Sequence, residues 1–153
     1  MSAAKSGDPF ADGSFGVPRI LRATFGARVL GVMDLQRNDR GFALIAAPTR
    51  CIRSGEVHEL IVTDEAGAGP GRSVDRCWYL GFVVFDEPGV LVTGDRIESA
   101  AGLLGTVAGF DECHFPNHLN IVLQSPTPAT GITHGLRPGD GIRVVPVTGT
   151  RPV

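Results

Sequence analysis

Glycine and proline are spread along the whole sequence, and their spacing limits the fold more than any other feature. They make up 21 and 11 of the 153 residues and divide the chain into short apolar segments. Such spacing is typical of many short strands and leaves little room for long helices. The predicted strands are, in chain order, 20–33, 41–47, 57–63, 77–85, 90–92, 103–110, 118–124 and 142–147. We therefore predict an all-β fold of about eight strands.

The segment 77–85 is apolar on both faces of a strand. Trp78, Leu80, Phe82 and Val84 alternate with Tyr79, Gly81, Val83 and Phe85. A strand with one solvated face needs only one apolar face, so we predict that this strand lies centrally in a closed or two-layered sheet. A small antiparallel β-barrel or barrel-like sandwich satisfies this requirement, and burial in a homodimer interface is the competing explanation.

A chain of this length can bury one hydrophobic core without disulfide bonds. We expect residues 19–153 to form a single barrel domain and residues 1–18, rich in Gly, Ser, Asp and Pro, to form a flexible leader. The leader has no apolar segment typical of a secretory signal. Cys51, Cys77 and Cys113 form no C-x-x-C pair, which argues against a disulfide framework and a structural zinc site. These features predict a cytoplasmic protein.

The charge balance argues against two classes of partner. Lys and Arg number 14 and Asp and Glu number 16, so the formal net charge is −2. A nearly neutral surface matches the phosphate backbone poorly, and no nucleic acid partner is expected. No apolar run approaches the ~18 residues of a membrane-spanning helix, and no membrane partner is expected. The remaining candidates are an apolar small-molecule substrate and a second copy of the chain.

The pattern L-x-x-G-D-x-I occurs twice, at 91–97 and 136–142. In such a pattern, Gly tolerates a positive φ and Asp caps a turn that leads into a β-branched residue. The repeat indicates either two related halves of a barrel or a chance recurrence of a favourable turn.

The densest group of polar side chains lies at 110–120. It contains six candidate catalytic residues: Asp111, Glu112, His114, Asn117, His118 and Asn120. In a strand that begins at 118, alternation places Leu119 and Ile121 on the core face and His118 and Asn120 on the opposite face. That polar face points either to water or into a cavity where it orients a ligand.

His114 and His118 have the spacing H-x-x-x-H. On a helix this spacing brings both imidazoles to one face, but Pro116 opposes a helix, and on a strand the two would lie ~13 Å apart. A turn at Pro116 could still bring the rings together. We nevertheless predict no metal and no other cofactor.

General acid/base catalysis is the simplest chemical role for the polar segment 110–120. His118 or His114 would move a proton beside Asp111 or Glu112. Asparagine side chains, Asn117 and Asn120, would hold a carbonyl group or a developing oxyanion. The predicted substrate-binding residues are Trp78, Tyr79, Phe82, Phe115 and His134.

Three segments occur in a recognisable order: GTVAG at 105–109, NHLNIVL at 117–123 and LRPGDGIRV at 136–144. Over about a third of the chain, this order resembles the C-terminal part of the glucitol/sorbitol-specific IIA component of the sugar phosphotransferase system. The resemblance implies a compact β-barrel. That family accepts phosphate on a histidine of an earlier strand, and the corresponding segment 76–85 contains no histidine, so the resemblance does not imply phosphoryl transfer.

The sequence contains no nucleophile elbow, P-loop, dinucleotide-binding glycine motif or H-E-x-x-H motif. We predict a cofactor-independent enzyme that cyclises or isomerises an apolar, oxygenated, polyketide-like metabolite, by analogy with small barrel cyclases of secondary metabolism. The first alternative is a non-catalytic ligand-binding, carrier or phosphotransferase-like regulatory barrel. The second is an assembly protein whose apolar faces close a homo-oligomer.

Overall fold

The computed structural model describes residues 21–147, which form eleven strands and one short helix. The elements are β1 (Phe25–Arg37), β2 (Phe42–Ala43), β3 (Thr49–Ile52), β4 (Val57–Thr63), β5 (Ser73–Val74), β6 (Cys77–Phe85), β7 (Gly89–Val92), β8 (Arg96–Ser99), β9 (Gly102–Asp111), β10 (Asn120–Gln124), α1 (Gly131–His134) and β11 (Gly141–Val145). No helix in this part of the chain is long and apolar enough to span a membrane. The predicted leader, 1–18, lies outside the described residues.

Seven strands form one sheet that closes on itself in the order β1-β11-β8-β9-β10-β4-β6. Neighbouring strands are antiparallel except β4 and β10, which run parallel. Strands β2 and β5 form one additional small sheet, and β3 and β7 form another. The prediction of an all-β, barrel-like fold is confirmed. The parallel pair is possible because β5 to β9 provide a long connection between β4 and β10.

Apolar patterning locates the long strands and misses the shortest ones. The predictions 57–63 and 77–85 coincide with β4 and β6. The prediction 41–47 is too long, because only Phe42 and Ala43 pair as a strand. Strands β3, β5 and β8 are absent from the prediction because stretches of four, two and four residues are too short to show a period.

Apolar side chains fill the interior of the ring. Each ring strand contributes to this inner core, through Phe25, Leu60, Val83, Ile97, Phe110, Ile121 and Ile142 among others. The gap beside Leu80 and Leu136 is too small to admit a water molecule. Beside these two residues, the inner core therefore leaves no room for a ligand.

A second apolar cluster, the outer core, covers the outside of β4, β6, β9 and β10. It contains Phe42, Leu44, Ile61, Val74, Cys77, Tyr79, Ala108 and Val122. The small β2–β5 sheet contributes Phe42 and Val74, so it shields this part of the ring from solvent. This second layer explains why the sequence of β6 is apolar on both faces.

Strand β6 contains a bulge at Leu80 and Gly81. On β4, Leu60 pairs with Gly81 and Ile61 pairs with Tyr79, so that Leu80 has no partner across this pair. Residues beyond the bulge therefore change face, and Val83 and Phe85 join Leu80 in the inner core while Tyr79 remains in the outer core. The strict alternation predicted for 77–85 is wrong beyond this point.

Gly81→Ala is expected to lower the free energy of unfolding by about 2–4 kcal/mol. Gly81 has a φ of +147°, and a Cβ there would lie 2.0 Å from the carbonyl oxygen of Gly31. Urea denaturation measures the loss. The matched control is Gly31→Ala, whose Cβ would meet nothing within 4 Å. Equal stabilities of the two variants would show that the close approach does not matter.

The first L-x-x-G-D-x-I copy forms a closed set of hydrogen bonds. Asp95 Oδ2 accepts the N–H of Val92 at 2.9 Å. Gly94 N–H donates to the carbonyl oxygen of Val107 at 2.7 Å, and Val107 N–H donates to the carbonyl oxygen of Asp95 at 2.8 Å. Gly94 and Asp95 therefore both bind the main chain of Val107, which joins this turn to β9.

The second copy repeats these bonds. Asp140 Oδ2 accepts the N–H of Arg137 at 2.9 Å. Gly139 N–H donates to Val29 at 2.7 Å, and Val29 N–H donates to Asp140 at 2.9 Å, again between main-chain atoms. Here the turn attaches to β1 instead of β9.

The pairing of β8 with β11 has the same symmetry. Ile97 and Ile142 occupy the same position of the repeat, and they pair with Val144 and Ser99, which also correspond to each other. A local two-fold axis between β8 and β11 exchanges these two pairs. The repeat thus marks two structurally related parts of the ring, which a chance recurrence of the turn would not explain.

Candidate active site

Three polar side chains form a buried row across the outer face of the ring. Glu59 of β4 lies opposite Asn120 of β10, and Asn120 lies opposite Asp111 of β9. On its other side, Glu59 lies opposite Phe82 of β6. The exposed fractions of Glu59, Asn120 and Asp111 are 5%, 0% and 3%. Because buried polar groups are costly unless they are paired, this row marks a candidate site.

Asp111 anchors the loop that follows β9. Its Oδ1 accepts the N–H of Cys113 and Nδ2 of Asn120, both at 3.0 Å, and its Oδ2 accepts the N–H of Ala43 at 3.1 Å. Burial alone would raise the pKa of Asp111, but the hydrogen bonds from Cys113, Asn120 and Ala43 lower this pKa below its usual value. Asp111 is thus an ionised anchor whose two oxygens are bound within the protein.

The amide of Asn120 is oriented by Asp111. Nδ2 donates to Asp111 and, at 3.5 Å, to Cys113 Sγ. Oδ1 is consequently turned away from Asp111, and this buried oxygen has no hydrogen-bond partner among the described residues. The atom that Asn120 offers to a ligand is therefore a hydrogen-bond acceptor.

His118 is oriented by its neighbour Asn117. Nδ1 donates to Asn117 Oδ1 at 2.6 Å, so the lone pair of the neutral ring is on Nε2. Nε2 is buried without a hydrogen-bond partner in the described part of the chain and lies 3.6 Å from Glu59 Oε1. The edge-to-face packing of His118 against Phe82, with ring centroids 5.1 Å apart, fixes the ring plane. Burial, and secondarily His114, lower the pKa of His118, while the side chain of Asn120 acts in the opposite direction.

Glu59 is the residue that sequence reasoning misses. Burial raises the pKa of its carboxyl to about 7, and the opposing effect of Arg40 is smaller. In the sequence, Glu59 is a single carboxylate inside the otherwise apolar strand 57–63, next to His58. A charged side chain in the middle of a buried strand is the signal that could have identified it.

His58 connects β4 to the loop before β10. Its Nδ1 accepts the N–H of Leu119 at 3.0 Å, and its Nε2 lies 3.1 Å from Glu56 Oε1. Since Nδ1 accepts, the ring proton is on Nε2 and is donated to Glu56. Burial lowers the pKa of His58 although Glu56 acts in the opposite direction. His58 therefore fixes the main chain next to His118. Both of its ring nitrogens are used in this way, so His58 is not a candidate catalytic group.

Arg40 joins the site from the loop that follows β1. Nε donates to the hydroxyl of Tyr79 at 2.9 Å, and Nη2 donates to Cys113 Sγ and to His114 Nε2, both at 3.3 Å. The guanidinium lies over the ring of Phe42, with Cζ 4.2 Å from the centroid. Because Arg40 can only donate, His114 is an acceptor at Nε2. The sequence offers no local sign of this residue, since Arg40 is far from 110–120 along the chain.

Of the other predicted site residues, some lie at the site and some lie away from it. Phe82 and Tyr79 contact the site, whereas Trp78 packs against the inner core. Glu112 and Phe115 are exposed on the loop, and Phe115 lies near Arg50. His134 is on α1, which packs against β1 and β6.

The loop brings His114 and His118 together, with ring centroids 5.2 Å apart. Their unprotonated ring nitrogens face different groups. His114 Nε2 lies against Arg40, and His118 Nε2 lies near Glu59. Among residues 21–147, no three His, Cys, Asp or Glu side chains are arranged to hold a metal ion.

A protein-family model matches residues 20–145, and its description is a family of unknown function, DUF6917. The chain belongs to this family. The matched region includes the whole site, from Arg40 to Asn120. Searches of curated proteins and of solved structures gave no match.

Proposed function

We propose that this protein is an acid/base enzyme that shifts a proton within a small hydroxylated carbonyl compound. The reaction class is an isomerisation that exchanges an α-hydroxy ketone and an α-hydroxy aldehyde. The observation that supports it is the pair of the buried Glu59 and the half-buried His118, whose Oε1 and Nε2 atoms lie 3.6 Å apart. Two neighbouring substrate atoms that lie beside this pair can each approach one of the two groups.

The protonation states of the pair suit proton transfer at neutral pH. With a pKa of about 7, Glu59 still carries its proton in a large share of molecules near neutrality. The lowered pKa of His118 keeps its ring neutral, with the lone pair on Nε2. Glu59 is therefore assigned as the acid and His118 as the base.

The proton shift proceeds in two balanced halves. His118 Nε2 takes the proton from the carbon next to the carbonyl, the C–H electron pair forms a C=C bond, and the carbonyl oxygen takes the proton of Glu59. The resulting enediol then returns the proton of its other hydroxyl to the Glu59 carboxylate. As that oxygen becomes a carbonyl, the C=C pair takes the proton held by His118 at the neighbouring carbon.

The character of the site favours a polar substrate over the apolar, polyketide-like one that the sequence suggested. Asn120 Oδ1 is a buried acceptor that can receive a hydroxyl hydrogen, and His118 Nε2 is a buried nitrogen that can take a proton. Arg40 adds a cation at the same site. An assembly protein would gain nothing from these buried polar atoms, which makes the homo-oligomer alternative less economical.

Proton exchange in D₂O tests the proposal directly. The purified protein is incubated with hydroxyacetone, dihydroxyacetone and hydroxypyruvate, and loss of the C–H signals is followed by ¹H NMR. We expect the protein to accelerate exchange in at least one compound and His118→Ala to slow this exchange by about 10²-fold or more. The matched control is Gln124→Ala, on the same face of β10 but further along the strand.

Two results would count against an enzyme. Equal exchange rates for the wild type and His118→Ala would show that His118 is not the base. Compounds that bind without any accelerated exchange would favour the non-catalytic ligand-binding alternative, which uses the same hydrogen-bond acceptors.

A further inference from the structure

Arg40 differs from the other half-buried arginines of the described region. Arg22 binds Asp95 at 2.6 Å, and Arg50 binds Glu56 at 3.2 Å. Within residues 21–147, no carboxylate oxygen lies within the 4.0 Å of a salt bridge to Arg40. A guanidinium that loses part of its hydration usually gains an anionic partner in return.

The groups that do surround Arg40 are neutral. Burial raises the pKa values of Tyr79 and Cys113, so that the hydroxyl and the thiol keep their protons at neutral pH. His114 accepts from Arg40 at Nε2, and Phe42 offers only a ring face. The positive charge of Arg40 is thus held in place by hydrogen bonds to neutral groups, and Glu59, whose pKa it lowers, lies beyond the distance of a salt bridge.

The charge of Arg40 lies beside the proposed catalytic pair. Arg40 Nη2 and Asn120 Nδ2 both donate to Cys113 Sγ, at 3.3 and 3.5 Å. One sulfur atom therefore separates the guanidinium from the amide whose Oδ1 is buried and unpartnered. His114 makes a second link, since it contacts Arg40 and stacks near His118.

We infer that the ligand of this site is a small hydroxylated anion, a carboxylate or a phosphate monoester with adjacent hydroxyl groups. The acid group binds Arg40 and one hydroxyl hydrogen is donated to Asn120 Oδ1, which leaves the lone pair of His118 Nε2 for the proton of the neighbouring carbon. Nη1 takes part in none of the hydrogen bonds that hold Arg40 within the described region, so its N–H groups can donate to a carboxylate or phosphate oxygen. The inference rests on the proposed function in treating this ligand as the substrate, and it narrows that substrate to an acidic α-hydroxy carbonyl compound.

The test uses binding probes that cannot undergo the proton shift. The full chain is titrated by calorimetry with glycerate, glycerol 3-phosphate and glycerol, which share hydroxyl groups and differ in the acid group. We expect at least one anion to bind ten times or more tightly than glycerol, and its affinity to fall as KCl is raised, as for a charge-assisted contact near the surface. The preferred anion distinguishes a carboxylate ligand from a phosphate ligand.

Arg40→Gln is expected to weaken binding of the preferred anion by about 10–100-fold and to leave the affinity for glycerol within about twofold. The matched control is Arg143→Gln, which removes the same charge from an exposed position of β11 and should change neither affinity. If Arg40→Gln does not fold, the KCl dependence of the wild type and the anion-to-glycerol ratio decide the matter without it. No anion preference, or a folded Arg40→Gln variant that keeps that preference, would overturn the inference.

The proposed function and this inference can fail separately. Glycerate and glycerol 3-phosphate present no carbonyl group, so their binding does not require Glu59 to give up a proton. Arg40-dependent anion binding without proton exchange would overturn the proposed function alone. Hydroxyacetone and hydroxypyruvate could instead exchange protons with equal efficiency, and Arg40→Gln could have no effect. That result would overturn only the inference that the ligand is an anion.

Discussion

Glu59→Gln is expected to lower the rate of the proton shift by about 10²–10⁴-fold. Glutamine keeps the shape of the side chain and can still form hydrogen bonds, but it cannot give up a proton. In the wild type, the rate should fall above a pH of about 7 as Glu59 loses its proton, and it should also fall in acid as His118 gains one. The exchange rate between pH 5 and 9 measures both limbs.

The residual activity of Glu59→Gln should lack the alkaline limb, because no carboxyl titrates there. Glu87→Gln, an exposed change of the same type, is the control and should retain the wild-type profile. An unchanged alkaline limb in Glu59→Gln would assign that titration to another group and would remove Glu59 from the mechanism.

The same substitution should increase the free energy of unfolding at alkaline pH. The pKa of Glu59 is raised from 4.5 to about 7 in the folded protein, so the folded state prefers the protonated form and loses stability as pH rises from about 4.5 to 7. Glutamine avoids this loss. Glu59→Gln should therefore be more stable than the wild type by about 1–3 kcal/mol at pH 8 and nearly equal to it at pH 4. A constant difference across this range would contradict the assignment.

Asp95→Ala is expected to lower the free energy of unfolding by about 3–5 kcal/mol. Asp95 forms a bidentate pair with Arg22, both bonds at 2.6 Å, and the side chains are only 0% and 4% exposed. Its oxygens also accept the N–H groups of Val92 and Val147. Alanine would leave a buried guanidinium and two main-chain donors without this acceptor. Urea denaturation at neutral pH measures the loss.

The local symmetry supplies the control for Asp95. Asp140 occupies the equivalent turn and caps Arg137 in the same way, but it is only half-buried and has no arginine partner among the described residues. Asp140→Ala should therefore lower the free energy of unfolding by about 1 kcal/mol. Equal losses at the two positions would mean that the turn, and not the buried ion pair, accounts for the effect.

Most of the strand framework can be predicted from the amino-acid sequence alone. The apolar runs of β4 and β6 predict their bounds, and the alternation after His118 separates Ile121 of the inner core from Asn120 on the opposite face. The polar segment 110–120 also contains several residues that the structure places together. These features depend on neighbours along the chain, and local periodicity records them.

The side of the ring that the site occupies, and the groups that complete it, depend on contacts between distant segments. Glu59 meets Asn120 through the parallel pairing of β4 with β10, and Arg40 reaches Cys113 from a loop that precedes both strands. The orientation of the Asn120 amide is likewise set by Asp111 on a third strand. Strand pairing between distant segments leaves no local period in the sequence, since each segment satisfies its own alternation whichever partner it pairs with. The acid, the cation and the free acceptor of the site are therefore properties of the closed ring.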